Sequence, residues 1–540
     1  MNVQTLSLNR QSKLINDYRN RDESIFTQFH YDPYQLRSYR KRYDYLVQQE
    51  YKRDHLADVL LKQNRQWGMS KQAEDNIEKI RQKDSVVVIG GQQAGLLTGP
   101  MYTINKIISI IIQTKEQSEH LQKPVIPVFW IAGEDHDFEE INHIFTYYSN
   151  QLKKEKVKAK HPEKTPVSNR EIDSNELKDW LDRIFLTLQE TQYTKKLYDE
   201  LITAIEQSTT YVDFFANIIH RLFRNEGLVL VDSNHEGLRE LEKDYMIQLI
   251  EKQQPIAESV VRQLQHQEDK GYSIALDATT EDGHLFYHLN GERLLLEKRD
   301  EDWVSKDEQV RFTQSELIEL VHQDPRCFSN NVVTRPMMQE MVFPVLSFIG
   351  GPGEIAYWSV LKESFESLDL QFPIITPRIS MTLLTSNQYA WMQRYGLTLE
   401  TVINHGTYQE KMNWLKRQTQ APIDEVIDNI KQELTLIHQP IQDVASTIQD
   451  DLETYAQSNL VKMQEELDDL NKRLTREVKR KNQHTLKCFD EIQHYYYPFN
   501  GLQERTWNVV YFLNYFGLDL PEQLLTVPPH WEQDHIVVEI

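Results

Sequence analysis

In SVVVIGGQQAGLLTGPMYTINK, residues Ser85–Lys106, an apolar strand pattern runs directly into glycines and then into a helical pattern. Glycine lets the backbone turn tightly and approach a ligand, and the N-terminus of the following helix offers unpaired N–H groups to an anion. The stretch matches neither the GxGxxG fingerprint nor a P-loop. A ligand site and a plain strand-to-helix turn therefore both stay open, and the candidate site residues here are Gly91, Gln92, Gln93, Thr98, Asn105 and Lys106.

Four more short apolar runs follow along the chain, each bounded by Gly, Pro or polar residues. They are VIPVFWIAG (125–133), GLVLVD (227–232), VFPVLSFIGG (342–351) and FPIITPR (372–378). Runs of this length, with amphipathic segments between them, predict buried parallel strands joined by helices. The fold class is therefore α/β, with a Rossmann-like parallel-sheet core, and such sheets bind ligands outside the carboxyl ends of their strands.

Composition narrows the class of protein. The chain has 540 residues, too many for one hydrophobic core, and 82 acidic against 60 basic residues give a net charge of −22. This surface would be repelled by nucleic acid and by anionic lipid. Two cysteines, Cys327 and Cys488, form no disulfide framework or metal-binding spacing. With no secretory signal and no membrane-length apolar run, we expect a soluble cytoplasmic protein.

At the end of the second predicted strand, the segment WIAGEDHDFEEIN places ionisable residues directly after buried residues. Groups crowded in this way shift one another's pKa values, as in catalytic sites. His136 between carboxylates is a candidate general acid or base, with Asp135 and Lys106 as further candidate catalytic residues. Asp137 fits a helix N-cap. We predict no metal, because successive residues rarely converge on one ion.

Segments near the ends of the remaining predicted strands contribute two arginines and a second glycine-rich turn. FIGGPGEIAYW (348–358) contributes Gly351, NNVVTRPMMQ contributes Arg335, and TPRIS contributes Arg378. Two arginines near strand ends of an acidic protein favour capture of a carboxylate or phosphate by paired hydrogen bonds. Each arginine alone is more often part of a structural ion pair.

Polar inserts interrupt the α/β pattern. Residues 151–180 predict an exposed excursion before a helix at 180–205. Residues 272–313 alternate as strands do, and Asn290-Gly291 predicts a hairpin turn in a small antiparallel insert.

From about residue 423 the pattern becomes heptad, as in a coiled coil. Pro440 predicts a turn near His438–Gln439, followed by a second helix that ends at Tyr495–Tyr497, before Pro498. A hairpin that packs on itself and a dimer remain equally open. The seam that would pair in a dimer comprises Ile427, Ile430, Leu434, Leu467, Leu470 and Leu474.

These motifs, together with YYYPFNGLQERTWN near the C-terminus, resemble the cysteine-adding enzymes of bacillithiol biosynthesis, the BshC family. The resemblance covers essentially the whole chain, in order. It implies a Rossmann-like core with inserted connective segments, plus an α-helical antiparallel coiled-coil domain that promotes a homodimer. The expected domains are the core at 1–385 with inserts at about 151–220 and 255–320, the coiled coil at 386–498, and a segment at 499–540 that returns to the core.

The resemblance also implies the reaction, in which L-cysteine is joined to glucosaminyl-malate through an amide. Such cores are similar to nucleotidyltransferases and class I aminoacyl-tRNA synthetases, so ATP or another nucleotide is an implied cosubstrate. Here no HIGH or KMSKS motif is present, and Gln92, Gln93, Thr98 and Lys106 stand at the HIGH position, so the mode of activation stays open. Candidate nucleotide-binding residues are Tyr497, Glu504, Arg505 and Asn508. Two alternatives are a nucleotidyltransferase-like enzyme with a degenerate fingerprint and a non-catalytic, metabolite-binding coiled-coil scaffold.

Overall fold

The computed structural model describes residues 1–158, 164–419 and 422–540. Within it the chain forms two compact units. The first comprises Met1–Tyr148, Leu152–Leu383 and Gln503–Ile540, and the second comprises Ser149–Gln151 and Leu384–Leu502. The C-terminal segment thus belongs to the same unit as the N-terminal half of the chain.

The secondary structure alternates between strands and helices in the first unit and is mainly helical in the second. The strands are β1 (Asn2–Leu6), β2 (Val86–Gln92), β3 (Val125–Ile131), β4 (His143–Tyr148), β5 (Gln151–Lys156), β6 (Val229–Asp232), β7 (Asp282–Leu289), β8 (Glu292–Arg299), β9 (Asp302–Ser305), β10 (Arg311–Thr313), β11 (Phe328–Asn330), β12 (Val345–Gly350), β13 (Ile374–Pro377), β14 (Met381–Leu384) and β15 (His535–Glu539). The helices are α1 (Lys13–Arg19), α2 (Glu23–Phe26), α3 (Leu36–Leu46), α4 (Arg53–Gln66), α5 (Lys71–Ile80), α6 (Tyr102–Leu121), α7 (Phe138–Ile141), α8 (Ser174–Phe185), α9 (Thr194–Glu206), α10 (Tyr211–Leu222), α11 (Glu236–Glu251), α12 (Gln253–Asp269), α13 (Gln314–Gln323), α14 (Thr334–Val342), α15 (Pro352–Trp358), α16 (Lys362–Glu366), α17 (Ser386–Tyr395), α18 (Leu399–His405), α19 (Tyr408–Lys416), α20 (Ile423–Ile448), α21 (Asp450–Lys481), α22 (Gln483–Tyr496), α23 (Val509–Phe516) and α24 (Leu520–Leu524). Across the described ranges, no helix has both the length and the apolar character needed to cross a bilayer.

A parallel sheet with the strand order β13-β12-β2-β3-β6 forms the core of the first unit. Its neighbouring strands all pair in parallel. Strands β3, β6, β12 and β13 are buried along their whole length, as expected where helices cover both faces of a sheet. The five apolar runs predicted as parallel strands are confirmed.

The strand order of this sheet reverses between β2 and β12. From β2 the chain proceeds to β3 and β6 on one side, and it later adds β12 and β13 on the other side. Ligands of open α/β sheets bind at such a reversal, outside the carboxyl ends of the strands. The loops that follow Gln92 and Gly350 border this crevice, so the fold itself selects it as the candidate site.

The predicted hairpin insert is also confirmed. Strands β7 and β8 pair antiparallel across Asn290 and Gly291, in a sheet with the order β10-β9-β8-β7-β11. The two turn residues have φ values of 51° and 85°, the left-handed pair that a two-residue type I′ turn requires. At the ends of the chain, β15 pairs antiparallel with β1.

The excursion predicted at residues 151–180 contains β5 and the start of α8, and its residues 159–163 lie outside the described ranges. The single helix predicted at 180–205 is instead two helices, α8 and α9. The residues between them leave the helical pattern, and that change was not recognised from the sequence.

The second unit contains the predicted antiparallel helical pair, α20 and α21. Lys431 Nζ lies 2.5 Å from Asp468 Oδ1, and His438 Nε2 lies 3.2 Å from Asn459 Oδ1, so the two helices run in opposite directions. The turn predicted near His438–Gln439 is wrong, because α20 continues through Pro440 and the break comes at Gln449. A proline within a helix costs roughly 3 kcal/mol, and contacts between α20 and α21 on the N-terminal side of Pro440, such as those of Lys431 and His438, help to offset that cost.

Candidate active site

The loop between β2 and α6 is held in an unusual backbone conformation by one asparagine. Leu97 and Thr98 have φ values of 50° and 77°, a region that residues with side chains rarely adopt. The Asn508 side-chain amide donates to the carbonyl oxygens of Leu96, Leu97 and Gly99 at 3.3, 3.0 and 2.7 Å. These bonds fix the glycine-rich turn, and they occupy the Asn508 amide donors.

Lys106 lies at the floor of the crevice between β2 and β12. Its ammonium donates to Gly91 O at 2.6 Å, to Gln92 Oε1 at 3.2 Å and to Glu354 Oε2 at 2.5 Å. The Lys106 side chain is 2% exposed. Burial lowers its pKa, and the Glu354 carboxylate opposes that shift. Three acceptors match the three donors of an ammonium, so the geometry holds Lys106 as a cation.

Arg335 supplies a second positive charge at this crevice. Its guanidinium donates to the Tyr357 hydroxyl at 2.9 Å. Burial acts to lower the pKa of Arg335, but Tyr357, Glu354 and Glu134 together raise it. Among the described residues, no carboxylate lies within 4.0 Å of its guanidinium. Its remaining donors are therefore available to an anionic ligand. The neighbouring Gly351 N–H is already occupied, because it donates to Glu354 Oε2 at 2.7 Å.

Arg378 is engaged within the protein. Its guanidinium donates to both carboxylate oxygens of Glu504, at 2.7 and 2.8 Å. Asn105 Nδ2 donates to the same carboxylate at 2.6 Å. The side chains of Arg378 and Glu504 are 5% and 2% exposed. Arg378 therefore forms the structural ion pair that the sequence left open as an alternative to ligand capture.

The acidic residues that follow β3 differ in exposure, and some are buried while others are exposed. Glu134 is buried in an ion pair with Arg239, which also contacts Glu242 at 2.7 Å. Burial raises the pKa of Glu242 to about 7, against the opposing charge of Arg239. Asp135 accepts from Gln93 Nε2 at 2.7 Å. Gln93, which follows β2, thus binds the carboxylate of Asp135, which follows β3.

His136 is the partly exposed member of this exit, and its ring lies between two charged groups. Arg293 Nη1 lies 3.4 Å from His136 Nδ1 and 3.7 Å from Asp135 Oδ1. Asp137 Oδ1 lies 3.7 Å from His136 Nε2. The ligand atoms of Asp135, His136 and Asp137 lie within 4.8 Å of one another, but the Arg293 guanidinium beside them disfavours a metal cation.

Arg293 and Glu140 are site residues that the sequence did not identify. Arg293 comes from β8 of the hairpin insert and is 6% exposed. The sequence gives little signal for it, because charged residues lie on both sides of the three leucines of β8, ERLLLEKR. Glu140 follows the GEDHD cluster and contacts Gln93 Nε2 at 3.2 Å. Tyr497 lies in the second unit, whereas Glu504, Arg505 and Asn508 lie in the first.

A cavity of about 300 Å³ opens beside Gln92 and Gln93. Its walls come from the glycine-rich loop, the start of α6, α7 with β4, and the C-terminal segment. Besides Gln92 and Gln93, the lining residues that carry polar or charged groups are Tyr102, Thr103, Glu140, His143, Arg505, Thr506 and Asn508. The predicted residues therefore form three connected groups: Lys106 with Gln92, Gln93 with Asp135, and Asn105 with Arg378 and Glu504.

Fold and site define a Rossmann-like protein with fixed cations at the switch point of its sheet. Two family models match it: "Bacillithiol biosynthesis BshC, N-terminal Rossmann-like domain" over residues 1–379, and "Bacillithiol biosynthesis BshC, C-terminal coiled-coil domain" over residues 381–540. The chain belongs to the BshC family.

Curated relatives match this chain over its whole length. A protein of Oceanobacillus iheyensis named "Putative cysteine ligase BshC" is 37% identical, with 100% of both chains covered. Proteins of Bacillus cereus and Bacillus licheniformis with the same name are 37% and 36% identical, again with 100% of both chains covered. A crystal structure titled as a putative arginyl-tRNA synthetase from Campylobacter jejuni is 10% identical, covers 88% of this chain and 97% of its own, and has a TM-score of 0.23.

Proposed function

We propose that the protein joins L-cysteine to glucosaminyl-malate through an amide bond, the last step of bacillithiol assembly. The observation that carries this proposal is the pair of fixed cations, Lys106 and Arg335, in the crevice where the strand order reverses. The full-length match to proteins named as cysteine ligases favours this activity over a nucleotidyltransferase-like enzyme or a non-catalytic scaffold. Its substrates are metabolites, which fits a cytoplasmic location.

Arg335 is the best candidate to bind the malate part of the acceptor. Malate brings two carboxylates, and a guanidinium binds a carboxylate through two parallel hydrogen bonds. Arg335 uses one nitrogen for Tyr357 and keeps its other donors available. Arg378 instead has a structural role, because its guanidinium is already hydrogen-bonded to the Glu504 carboxylate.

Lys106 acts in this proposal through its charge. A lysine that served as a base would have to lose a proton, and with it one of the three hydrogen bonds to Gly91, Gln92 and Glu354. Its fixed ammonium instead orients the Gln92 side chain and stabilises negative charge that develops on the reacting carboxyl group.

His136 is the proposed general base. The glucosamine nitrogen attacks only as a neutral amine, so its proton must pass to the protein as the C–N bond forms. His136 Nδ1 has one long contact, to Arg293, which the incoming amine can replace. Asp135, beside His136 in sequence, is held in place by Gln93 and by the His136 backbone N–H, 2.8 Å away.

The cysteine carboxylate needs activation, because a free carboxylate is a poor acyl donor. ATP or another nucleotide is the cosubstrate that the fold class suggests, and cleavage of its phosphoanhydride would convert the carboxylate oxygen into a leaving group. The negative charge of that group lies within the field of Lys106 and Arg335 in this proposal.

The test is reconstitution of the reaction from purified components. The protein is incubated with L-cysteine, glucosaminyl-malate and each candidate nucleotide in turn, and the amide product is measured by mass spectrometry. Arg335→Gln should raise the KM for glucosaminyl-malate roughly ten- to hundredfold, as expected for a lost charged hydrogen bond. Arg326→Gln is the matched control, since Arg326 is exposed and pairs with Asp324 in its own turn. No product with any nucleotide would contradict the proposal.

The role of His136 has a separate test. His136→Ala should reduce the rate of ligation roughly 10²- to 10⁴-fold while the protein stays folded, because that is the usual contribution of a general base. The exposed His322→Ala serves as a control. An unchanged ligation rate in His136→Ala would reject the role.

We also propose that the coiled coil makes the protein a homodimer. On α20, Ile437, Ile441, Val444 and Ile448 recur at heptad spacing, and each is at least 60% exposed. Exposed apolar stripes of this kind mark interaction surfaces. A second copy of the chain would cover this stripe in the same way that α21 covers Ile427, which is buried.

A further inference from the structure

The cavity of about 300 Å³ beside Gln93 carries opposite charges that have no strong partners in the protein. Arg505 is exposed and, among the described residues, has neither a hydrogen bond nor an ion pair. Glu140 accepts only from the Gln93 amide, at 3.2 Å. Most charged residues near the strand ends are paired, as Arg378 is with Glu504. An unpaired cation and an unpaired carboxylate on one small cavity are therefore unusual.

Tyr102, Glu140 and Arg505 all line this cavity. Burial raises the pKa of the Tyr102 hydroxyl, the Arg505 charge lowers it and the Glu140 charge raises it. A ligand in the cavity therefore meets a positive and a negative group.

Two buried polar atoms on the same cavity lack partners among the described residues. Thr103, which is 1% exposed, leaves its Oγ1 without a hydrogen bond, and His143 does the same with Nδ1. Burial, with Lys154 nearby, lowers the pKa of His143 to about 4, so its imidazole is neutral at pH 7. Buried polar atoms that lack partners are costly to the protein. A polar ligand would satisfy them.

We propose that this cavity binds the free α-amino acid substrate as a zwitterion, with its carboxylate at Arg505 and its ammonium at Glu140. The inference rests on the proposed function for the identity of the amino acid, L-cysteine. A volume of about 300 Å³ equals about ten waters at roughly 30 Å³ each. That space holds an amino acid with a short side chain, and its pair of opposite charges matches a zwitterion better than a polyanionic nucleotide.

The apolar wall completes the fit. Ile141, Ile144 and Phe145 line the side of the cavity next to the neutral His143. A short side chain with a weakly polar thiol suits such a wall, whereas a charged side chain would lose its hydration there. Arg505, marked from the sequence as a candidate nucleotide-binding residue, is in this proposal the carboxylate-binding residue for the amino acid.

The test uses three ligands that separate the two charges. L-cysteine carries both groups, 3-mercaptopropionate lacks the ammonium, and cysteamine lacks the carboxylate. Binding to the full-length protein is measured by isothermal titration calorimetry under reducing conditions, with and without glucosaminyl-malate. Arg505→Gln should weaken cysteine and 3-mercaptopropionate about tenfold or more and leave cysteamine within twofold. Glu140→Gln should weaken cysteine and cysteamine equally strongly and leave 3-mercaptopropionate unchanged.

Arg326→Gln, far from the cavity in sequence and exposed, should change none of the three affinities, and melting curves confirm that each variant is folded. The proposed site would be overturned if neither substitution changed the affinity for cysteine. It would also be overturned if the protein bound no cysteine either with or without glucosaminyl-malate. Ligation measured in parallel separates this inference from the proposed function. Ligation with an unchanged KM for cysteine in both variants refutes the site alone. If each substitution weakens only the ligands expected for it, but no ligation occurs, the site is supported and the proposed function is refuted.

Discussion

Replacing Glu504 with glutamine should destabilise the first unit more than any other single carboxylate-to-amide change near the crevice. Glu504 Oε2 accepts from Asn105, from Arg378 and from the Met381 backbone N–H, and Oε1 accepts from Arg378. A glutamine has one oxygen, so in either orientation its NH₂ group faces an N–H donor. The substitution also leaves the Arg378 guanidinium buried without a countercharge.

The magnitude follows from the pKa of Glu504. Burial acts to raise this pKa, but Arg378, His535 and Asn105 together lower it from 4.5 to about 2. A shift of about 2.5 pK units is worth about 3 kcal/mol at roughly 1.36 kcal/mol per unit. Loss of one partner from a buried ion pair costs about the same, roughly 3–5 kcal/mol. We therefore expect a loss of about 3 kcal/mol at pH 7.

The same shift fixes the pH dependence. Because the folded-state pKa is depressed, the stabilisation is complete above pH 4.5 and is lost as the pH falls towards 2. The gap between wild type and Glu504→Gln should therefore narrow as the pH falls below 4.5, since only the wild type loses this contribution.

The assay is urea denaturation followed by tryptophan fluorescence and circular dichroism at pH 7 and at the lowest pH where both proteins fold. Glu236→Gln is the control, because Glu236 forms an exposed pair with Lys62 at 2.9 Å, and exposed pairs contribute roughly 0–1 kcal/mol. A Glu504→Gln protein as stable as this control at pH 7 would refute the reasoning. So would a gap that stays constant with pH.

Three further predictions concern packing and assembly. Ile441→Glu combined with Val444→Glu should convert the dimer to a monomer in light scattering with the α/β core still folded, because both side chains belong to the exposed stripe of α20, and a dimer that persists would show that the interface lies elsewhere. Gly133→Ala should lower stability by roughly 1–3 kcal/mol in thermal unfolding, because an added Cβ would collide with the Asp232 carboxylate, and an unchanged melting temperature would contradict this. Pro440→Ala should stabilise the helical unit by roughly 1–3 kcal/mol, since it restores a hydrogen bond inside α20. Unchanged urea unfolding of that unit would show that the helix already compensates for the proline.

Local patterns in the sequence predicted the parallel strands and the hairpin of this fold. Continuous apolar runs predicted the parallel strands, because a strand buried on both faces carries no polar face. Asn290-Gly291 predicted the hairpin, because a type I′ turn needs two residues that tolerate positive φ. Pro440 led to a wrong turn for the opposite reason: the local preference of one residue was overridden by contacts between α20 and α21 that are distant in sequence, which no local pattern reports.

The partners of the candidate site residues could not be predicted in this way. Asn105 and Glu504 are separated by 399 residues in sequence and Arg378 and Glu504 by 126, so only the folded chain brings them together. The sequence marked Arg335 and Arg378 alike, as two arginines near the ends of predicted strands. Their chemistry differs because one faces Glu504 and the other faces a tyrosine hydroxyl.

The C-terminal segment that begins at Gln503 shows how such long-range pairs define the site. Glu504 neutralises Arg378 beneath the crevice, Arg505 faces the cavity, and the Asn508 amide fixes the glycine-rich loop. In addition, Met101 N–H donates to Trp507 O at 2.8 Å, at the start of α6. Closely spaced residues of one short segment thus contact the crevice, the cavity and the glycine-rich loop. A shift of this segment would alter all three together, so its position sets the geometry of both the crevice and the cavity.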